Sequence, residues 1–303
     1  MSSNFADRLD EAIARAGNPC LVGLDPHVDL LPEEFAAARS GATRKERANA
    51  VAEFLCEIID LVAGRIPAVK PQSALFELHG ADGAAAWERV VRRARAAGLL
   101  VIGDVKRGDI DSTARAYARA FLEGDPADPE SRCDAITVNP YLGKDSVTPF
   151  LEACARTGGG IYVLVRTSNP GGAMFQGHGS PPLYERVADA VVEWGRDLVG
   201  KRGLSSVGAV VGATHPTELA SLRARMPGVP FLIPGYGAQG AGAGEVAGGF
   251  LADGRGAVVN SSRAILFAWR EPRFRGVHWK DASRTALDEM IAALSAVSAS
   301  SRA

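Results

Sequence analysis

Lysine is scarce in this chain: of 34 basic residues only six are lysines, at positions 45, 70, 106, 144, 201 and 280. Where arginine is the habit, a lysine near a candidate site invites a chemical reason. Cysteine is equally sparse, with Cys20, Cys56, Cys133 and Cys154 and no pair at CxxC spacing. That argues against a zinc site and against a disulfide framework, and the four are read as free thiols, buried or half-buried. There is no excess of either charge, the formal net charge being −1, so neither nucleic acid nor an anionic membrane is expected as a partner. No apolar run approaches the ~18 residues of a membrane span. Met1 to Asp10 lacks an apolar core, so no signal peptide is expected and the cytoplasm is the default location. The five histidines do not cluster and no HExxH pattern occurs. Each is expected to be a surface or helix-capping residue, and no metal is expected.

What is present is alternation. Eight short β-like runs recur: Cys20–Leu24, Ile66–Lys70, Leu99–Asp104, Ala135–Asn139, Ile161–Val165, Val207–Val211, Pro230–Ile233 and Ala257–Asn260. Several are apolar throughout, as strands buried on both faces are. Helical spacing lies between them, as in Val51, Phe54, Leu55, Ile58 and Val62, and in Leu183, Val187, Val191, Trp194 and Leu198. Thr214–Pro216 reads as a helix start. Eight such units predict an α/β fold, a (β/α)8 TIM barrel spanning 1–303 as one domain. It would have an N-terminal helix and a frayed tail from about residue 295. A doubly wound sheet is the runner-up, but Leu24-Asp-Pro-His27 is not the glycine-rich first turn such sheets favour. Glu123–Glu130 reads as a loop. Thr167–Pro182, rich in Gly, Pro and Ser, has the length of a functional lid.

Barrel sites sit at the C-terminal strand ends. Those ends carry Asp25, Lys70, Asp104 with Lys106, Asn139, then Thr167-Ser168-Asn169, Pro234–Gly240 and Ser261-Ser262-Arg263. Asp104 and Lys106, two apart in an extended chain, share a face. A carboxylate there keeps an ammonium protonated and placed, and Lys70 on the next strand can join them. Lysine can donate a proton where arginine cannot. Asp109 lies past a glycine and is free to turn elsewhere. The loops after strands seven and eight commonly bind phosphate in barrels. Gly235 and Gly237 would let backbone N–H groups approach it, and Arg263 would add a bidentate charge. Asp25 could hold sugar hydroxyls or merely cap the following segment, and Ser168 could read a base edge or serve a turn.

These residues resemble the orotidine 5′-phosphate decarboxylase family, in its longer bacterial branch, from Leu21 to about Ile265. The DxKxxD motif is matched by Asp104, Lys106 and Asp109, and PGxGAQG by Pro234–Gly240; Leu24-Asp25-Pro26, Lys70 and Arg263 fall in order. The stretch around Leu31–Thr43 and the tail beyond Phe267 have no counterpart. The resemblance implies cofactor-free decarboxylation of orotidine 5′-monophosphate to uridine 5′-monophosphate. Lys70, Asp104, Lys106 and Asp109 would form a charged tetrad, with Lys106 delivering the proton to C6. Asp25 would hold the ribose, Ser168 the pyrimidine edge, and Gln239 with Arg263 the phosphate. A homodimer is implied, with Asp109 and Thr113 contributed to the neighbouring site. Two rivals stand beside this reading. One is a magnesium-dependent sugar-phosphate decarboxylase or aldolase of the same barrel group, against which a lysine on strand two argues. The other is a barrel that only binds nucleotides.

Overall fold

The computed structural model describes residues 4–39, 42–237 and 242–300. Eight parallel strands close in sequence order: β1 (Cys20–Leu24), β2 (Ala68–Pro71), β3 (Leu100–Arg107), β4 (Ala135–Val138), β5 (Gly160–Arg166), β6 (Val207–Val211), β7 (Phe231–Ile233) and β8 (Ala257–Ser261). β8 pairs back onto β1 through Cys20/Val259 and Leu21/Asn260, which completes the ring. The helices are α1 (Phe5–Ala16), α2 (Arg44–Val62), α3 (Ser73–Glu77), α4 (Gly80–Ala96), α5 (Asp111–Ala118), α6 (Lys144–Thr157), α7 (Ala173–Gln176), α8 (Leu183–Trp194), α9 (Pro216–Arg225), α10 (Ala243–Val246), α11 (Arg263–Leu266) and α12 (Trp279–Ser300). The expected barrel is thus the observed one. α2 buries Val51, Phe54, Leu55, Ile58 and Val62, and α9 starts with Pro216 in its first turn after His215.

Alternation along the strands sorts the side chains. Val22, Val69, Val101, Ile136, Val163 and Val259 face outward into the layer packed by helices. Inward, each strand gives one residue to an apolar layer: Leu21, Ala68, Ile102, Ala135, Tyr162, Val210, Leu232 and Val258. Phe5 and Leu9 of α1 join this layer and close the N-terminal end of the barrel. Gly208 makes room for Tyr162, since a β-carbon there would lie 2.5 Å from its ring. Polar ties hold α1 in place: Asp7 accepts from the amides of Lys201 and Arg202 at 2.9 and 2.8 Å, and Arg8 pairs with buried Asp134 at 2.5 Å. Two residues further along the strands, the inward face turns polar and includes Lys70, Asp104, Thr137 and Asn260, which line a cavity.

Some expectations shift. Ser295–Ser300 is not a frayed tail but the end of α12, where Ser298 is buried and donates to the Gly254 carbonyl at 2.9 Å. The alanines of this helix favour it, and packing supplies the rest. The periodic segment through Leu198 breaks at Gly195 after α8 and resumes as a short 3-10 turn. Thr167–Pro182 is not unstructured, since it holds a 3-10 turn at Pro170–Gly172 and then α7. Within 31–43, Glu33–Ala38 forms a 3-10 helix, and Thr43 with Glu46 makes the capping box that starts α2. His79 is neither surface nor capping by its side chain; it is buried, and burial together with Arg47 and Arg44 pushes its pKa down. Cys20, Cys133 and Cys154 are buried and Cys56 half-buried, all as free thiols.

Phe5 is fully buried edge-on against Tyr162 at 6.1 Å. Phe5→Ala should therefore cost about 3–5 kcal/mol of stability. Because Phe5 sits at the end away from the polar layer, the folded variant should keep its turnover. Thermal melts and activity per folded molecule check both halves.

Candidate active site

Asp104 is the centre of the polar layer. Its Oδ2 accepts from Lys70 Nζ at 2.8 Å and Gln72 Nε2 at 3.1 Å. Its Oδ1 accepts from Lys106 Nζ at 2.6 Å and Thr137 Oγ1 at 2.9 Å. Three adjacent strands thus converge on one carboxylate. Burial opposes the charged form of Asp104, but the ammonium groups of Lys70 and Lys106 outweigh it and hold the carboxyl well below its ordinary pKa. Burial likewise opposes the Lys70 ammonium, and the charges of Asp104 and Asp25 outweigh it, raising its pKa. The lysines differ in access: the Lys70 side chain is 5% exposed, that of Lys106 48%.

The cavity above this array measures about 290 Å³, at the small end for a ligand pocket. Asp25, Lys70, Asp104, Lys106, Ser168, Gly235 and Arg263 all line it. Buried Asp25 Oδ1 has no hydrogen-bond partner among the described residues, so it is poised to accept from a ligand. Gly235 and Gly237 have φ of +101° and +75°, where glycine is favoured. Gly237 faces an adjoining depression, which Arg263 also borders. Gln239 lies outside the described residues. The β5 loop is pinned by Gln176, whose side chain accepts from the Thr167 amide at 3.0 Å and donates to its hydroxyl at 2.8 Å.

Asp109 and Thr113 are not brought to this cavity. Asp109 accepts from the Ile110 amide at 2.9 Å, and Thr113 is exposed on α5. Asn139 also stays out: it is exposed, and its side chain caps the Tyr141 amide at 3.0 Å. Sequence reasoning missed Gln72, Thr137 and Asn260, which line the cavity as well, Gln72 and Thr137 also binding Asp104; Tyr236 and Ser262, named only as parts of the rim segments, line it too. Alternation from Ala135 puts Thr137 and Asn139 on one face; Asn139 is left out because β4 ends at Val138 and the chain turns there. A larger depression of about 710 Å³ lies between α4 and α5. No such convergence marks it, and its Glu77 and Glu88 pair outward with Arg107 and Arg92. Chemistry rather than size selects the site. Among the described residues no cluster of His, Cys, Asp and Glu could hold a metal ion.

Comparison with known proteins points the same way. The family described as "Orotidine 5'-phosphate decarboxylase / HUMPS family" matches residues 21–273. The orotidine 5′-phosphate decarboxylase of Rhodopirellula baltica is 45% identical over 293 residues, covering 94% of this chain and 97% of that one. That of Clostridium perfringens is 40% identical over 270 residues, covering 88% and 90%. The solved orotidine monophosphate decarboxylase of Leishmania donovani superposes with a TM-score of 0.75 at 32% identity, covering 97% of this chain and 98% of that one.

Asp104→Ala removes the counter-charge from buried Lys70 and should cost about 3–5 kcal/mol, seen as a lower Tm and urea midpoint. The depressed Asp104 carboxyl contributes its stability above its unfolded value of about 4, and loses it as pH falls through the folded value. Raised Lys70 contributes fully below about pH 10 and loses its share as pH rises through its folded value. The stability gap between wild type and Asp104→Ala should therefore hold from about pH 4 to about pH 10, narrowing in acid below that range and in alkali above it. A gap that had already closed between about pH 7 and 5 would contradict the pairing.

Proposed function

The chain belongs to the orotidine 5′-phosphate decarboxylase / HUMPS family, and we propose that its reaction, decarboxylation of orotidine 5′-monophosphate to uridine 5′-monophosphate, is carried by the Lys70–Asp104–Lys106 array. The observation that bears this reading is the occupation of both Asp104 oxygens by ammonium groups at the floor of a cavity. When the C6–carboxylate bond breaks, its electron pair stays on C6 and CO₂ leaves. A fixed cation beside C6 stabilises that charge without having to reorganise. Lys106, half-exposed to the cavity, is that cation and then gives C6 a proton. Lys70, buried, is the standing counter-charge that keeps Asp104 ionised.

The remaining roles follow the lining. Asp25, with an unpartnered buried oxygen, takes ribose hydroxyls. Ser168 reads the pyrimidine edge. Arg263, which forms no ion pair among the described residues, takes the phosphate with the amides of Gly235 and Gly237. Gln239 belongs with that group by its place in the motif. Phosphate binding far from C6 can draw the β5 and β7 loops over the substrate and expel water.

Asp109 and Thr113 would serve a neighbouring copy in a homodimer. Two observations support this. Neither residue reaches its own cavity, and exposed Ile110, Tyr141 and Leu142 stand on the same β3 and β4 loops. Such apolar side chains suit a self-complementary contact. Among the described residues no helix is long and apolar enough to cross a membrane; a cytoplasmic location is part of this proposal. The magnesium-dependent alternative loses support, because a metal at Asp104 would have to displace two ammonium groups.

Lys106→Ala should lower kcat by at least ~100-fold, whereas Arg263→Ala should act mainly on kcat/KM. An ultraviolet assay of orotidine monophosphate consumption reads both, and near wild-type turnover by Lys106→Ala would end the proposal. For the dimer, Lys106→Ala and Asp109→Ala chains are each expected to be nearly inactive. Mixed after dissociation, they should regain roughly a quarter of wild-type activity, since half the dimers are mixed and each has one intact site. No recovery, with mixed dimers demonstrated, would place Asp109 in its own subunit's site.

A further inference from the structure

β3 and β4 run in register at Ile102/Ala135 and Gly103/Ile136, and their next pair is Arg107/Val138. Four steps along β3 thus face two along β4, a bulge of the kind that re-aims side chains beside active sites. Asp104 and Lys106 both lie inside it. The backbone of Lys106 has a φ of +44°, in the left-handed region that a residue with a β-carbon seldom adopts. Something must hold it there.

The Thr137 hydroxyl is placed to do so. It is buried opposite the bulge, where a regular ladder would offer a carbonyl. It accepts from the Lys106 backbone amide at 2.9 Å and donates its own hydrogen to Asp104 Oδ1 at 2.9 Å. The same carboxylate oxygen accepts from Lys106 Nζ at 2.6 Å. A closed circuit results: amide of residue 106, hydroxyl of 137, carboxylate of 104, ammonium of 106. One oxygen atom therefore fixes Lys106 at both its backbone and, through Asp104, its tip.

We propose that Thr137 is a positioning residue for the proton-donating ammonium of Lys106, holding the left-handed turn and the counter-charge in one geometry. This rests on the reaction assigned above. Thr137 is not asked to touch the substrate, because its hydrogen and an acceptor site are already engaged. Its loss should therefore fall on the chemical step rather than on binding.

Thr137→Val keeps the shape and removes the hydroxyl. It should lower kcat by ~10- to 100-fold, the scale of a small misplacement of a reacting group. KM for orotidine monophosphate and affinity for uridine monophosphate should stay within about threefold, since ground-state contacts are untouched. Thr137→Ser, which keeps the hydroxyl, should recover most of the turnover. If the valine variant does not fold, Thr137→Ala should give the same split between kcat and KM. Turnover by Thr137→Val within about twofold of wild type, or an equal loss in Thr137→Ser, would overturn the positioning role. A wild-type chain that consumes no orotidine monophosphate would overturn the reaction itself, and the positioning role with it.

Discussion

One buried carboxylate governs this molecule. Asp104 is ionised inside a barrel, where an isolated charge is costly by several kcal/mol even after relaxation. It is tolerable only because Lys70, Lys106, Gln72 and Thr137 spend four hydrogen bonds on its two oxygens. The partners come from β2, the residue after it, β3 and β4, so no single segment could build the array. Closing the sheet is what sets these strands side by side with their inward residues at one level. A hydrophobic replacement of such a cluster is often neutral or stabilising in other proteins. Its presence is therefore better explained by the field it makes than by the stability it adds.

The barrel separates these duties along its axis. One inward layer is apolar save for the Tyr162 hydroxyl and is sealed by α1; the next, two residues on, is the floor of the cavity. The first supplies rigidity without functional groups. The second carries functional groups and inherits that rigidity. A side chain moving from one layer to the other needs only a two-residue step, and a one-residue slip would turn Lys70 and Asp104 into the helix layer. Register is therefore as much a requirement of the chemistry as of the packing.

That same period explains what was legible in the sequence. Strands buried on both faces are written as apolar runs, and β1 and β6 were read with their observed bounds. β3 was cut at Asp104 because hydropathy falls there, although the strand continues through Arg107. The Asp104–Lys106 pair was readable because both partners lie in one strand, two apart. Thr137 was not, since a lone threonine in a strand carries no local signal and its meaning comes from a bulge across the ladder. Reading β4 one residue too long placed Asn139 at the rim beside Thr137, whereas the strand ends at Val138 and Asn139 caps the turn that follows. Asn260 was hidden for a related reason: it gains its role only when β8 closes against β1. The serine-rich end of α12 misled because composition describes an isolated chain, whereas Ser298 is held by the carbonyl of Gly254.

Two ammonium groups on one carboxylate need not share one task, and their surroundings divide them. Lys70 is almost wholly enclosed and its pKa is raised by Asp104 and Asp25, so it is a fixed charge. Lys106 faces the cavity with about half its side chain exposed, so it is the ammonium a ligand there can reach. In the proposed reaction a donor that empties on each turnover is paired with a neighbour that does not. Lys70 therefore remains beside Asp104 as a standing counter-charge. The left-handed turn at Lys106 belongs to the same place: it lies in the segment whose ammonium meets the carboxylate of residue 104.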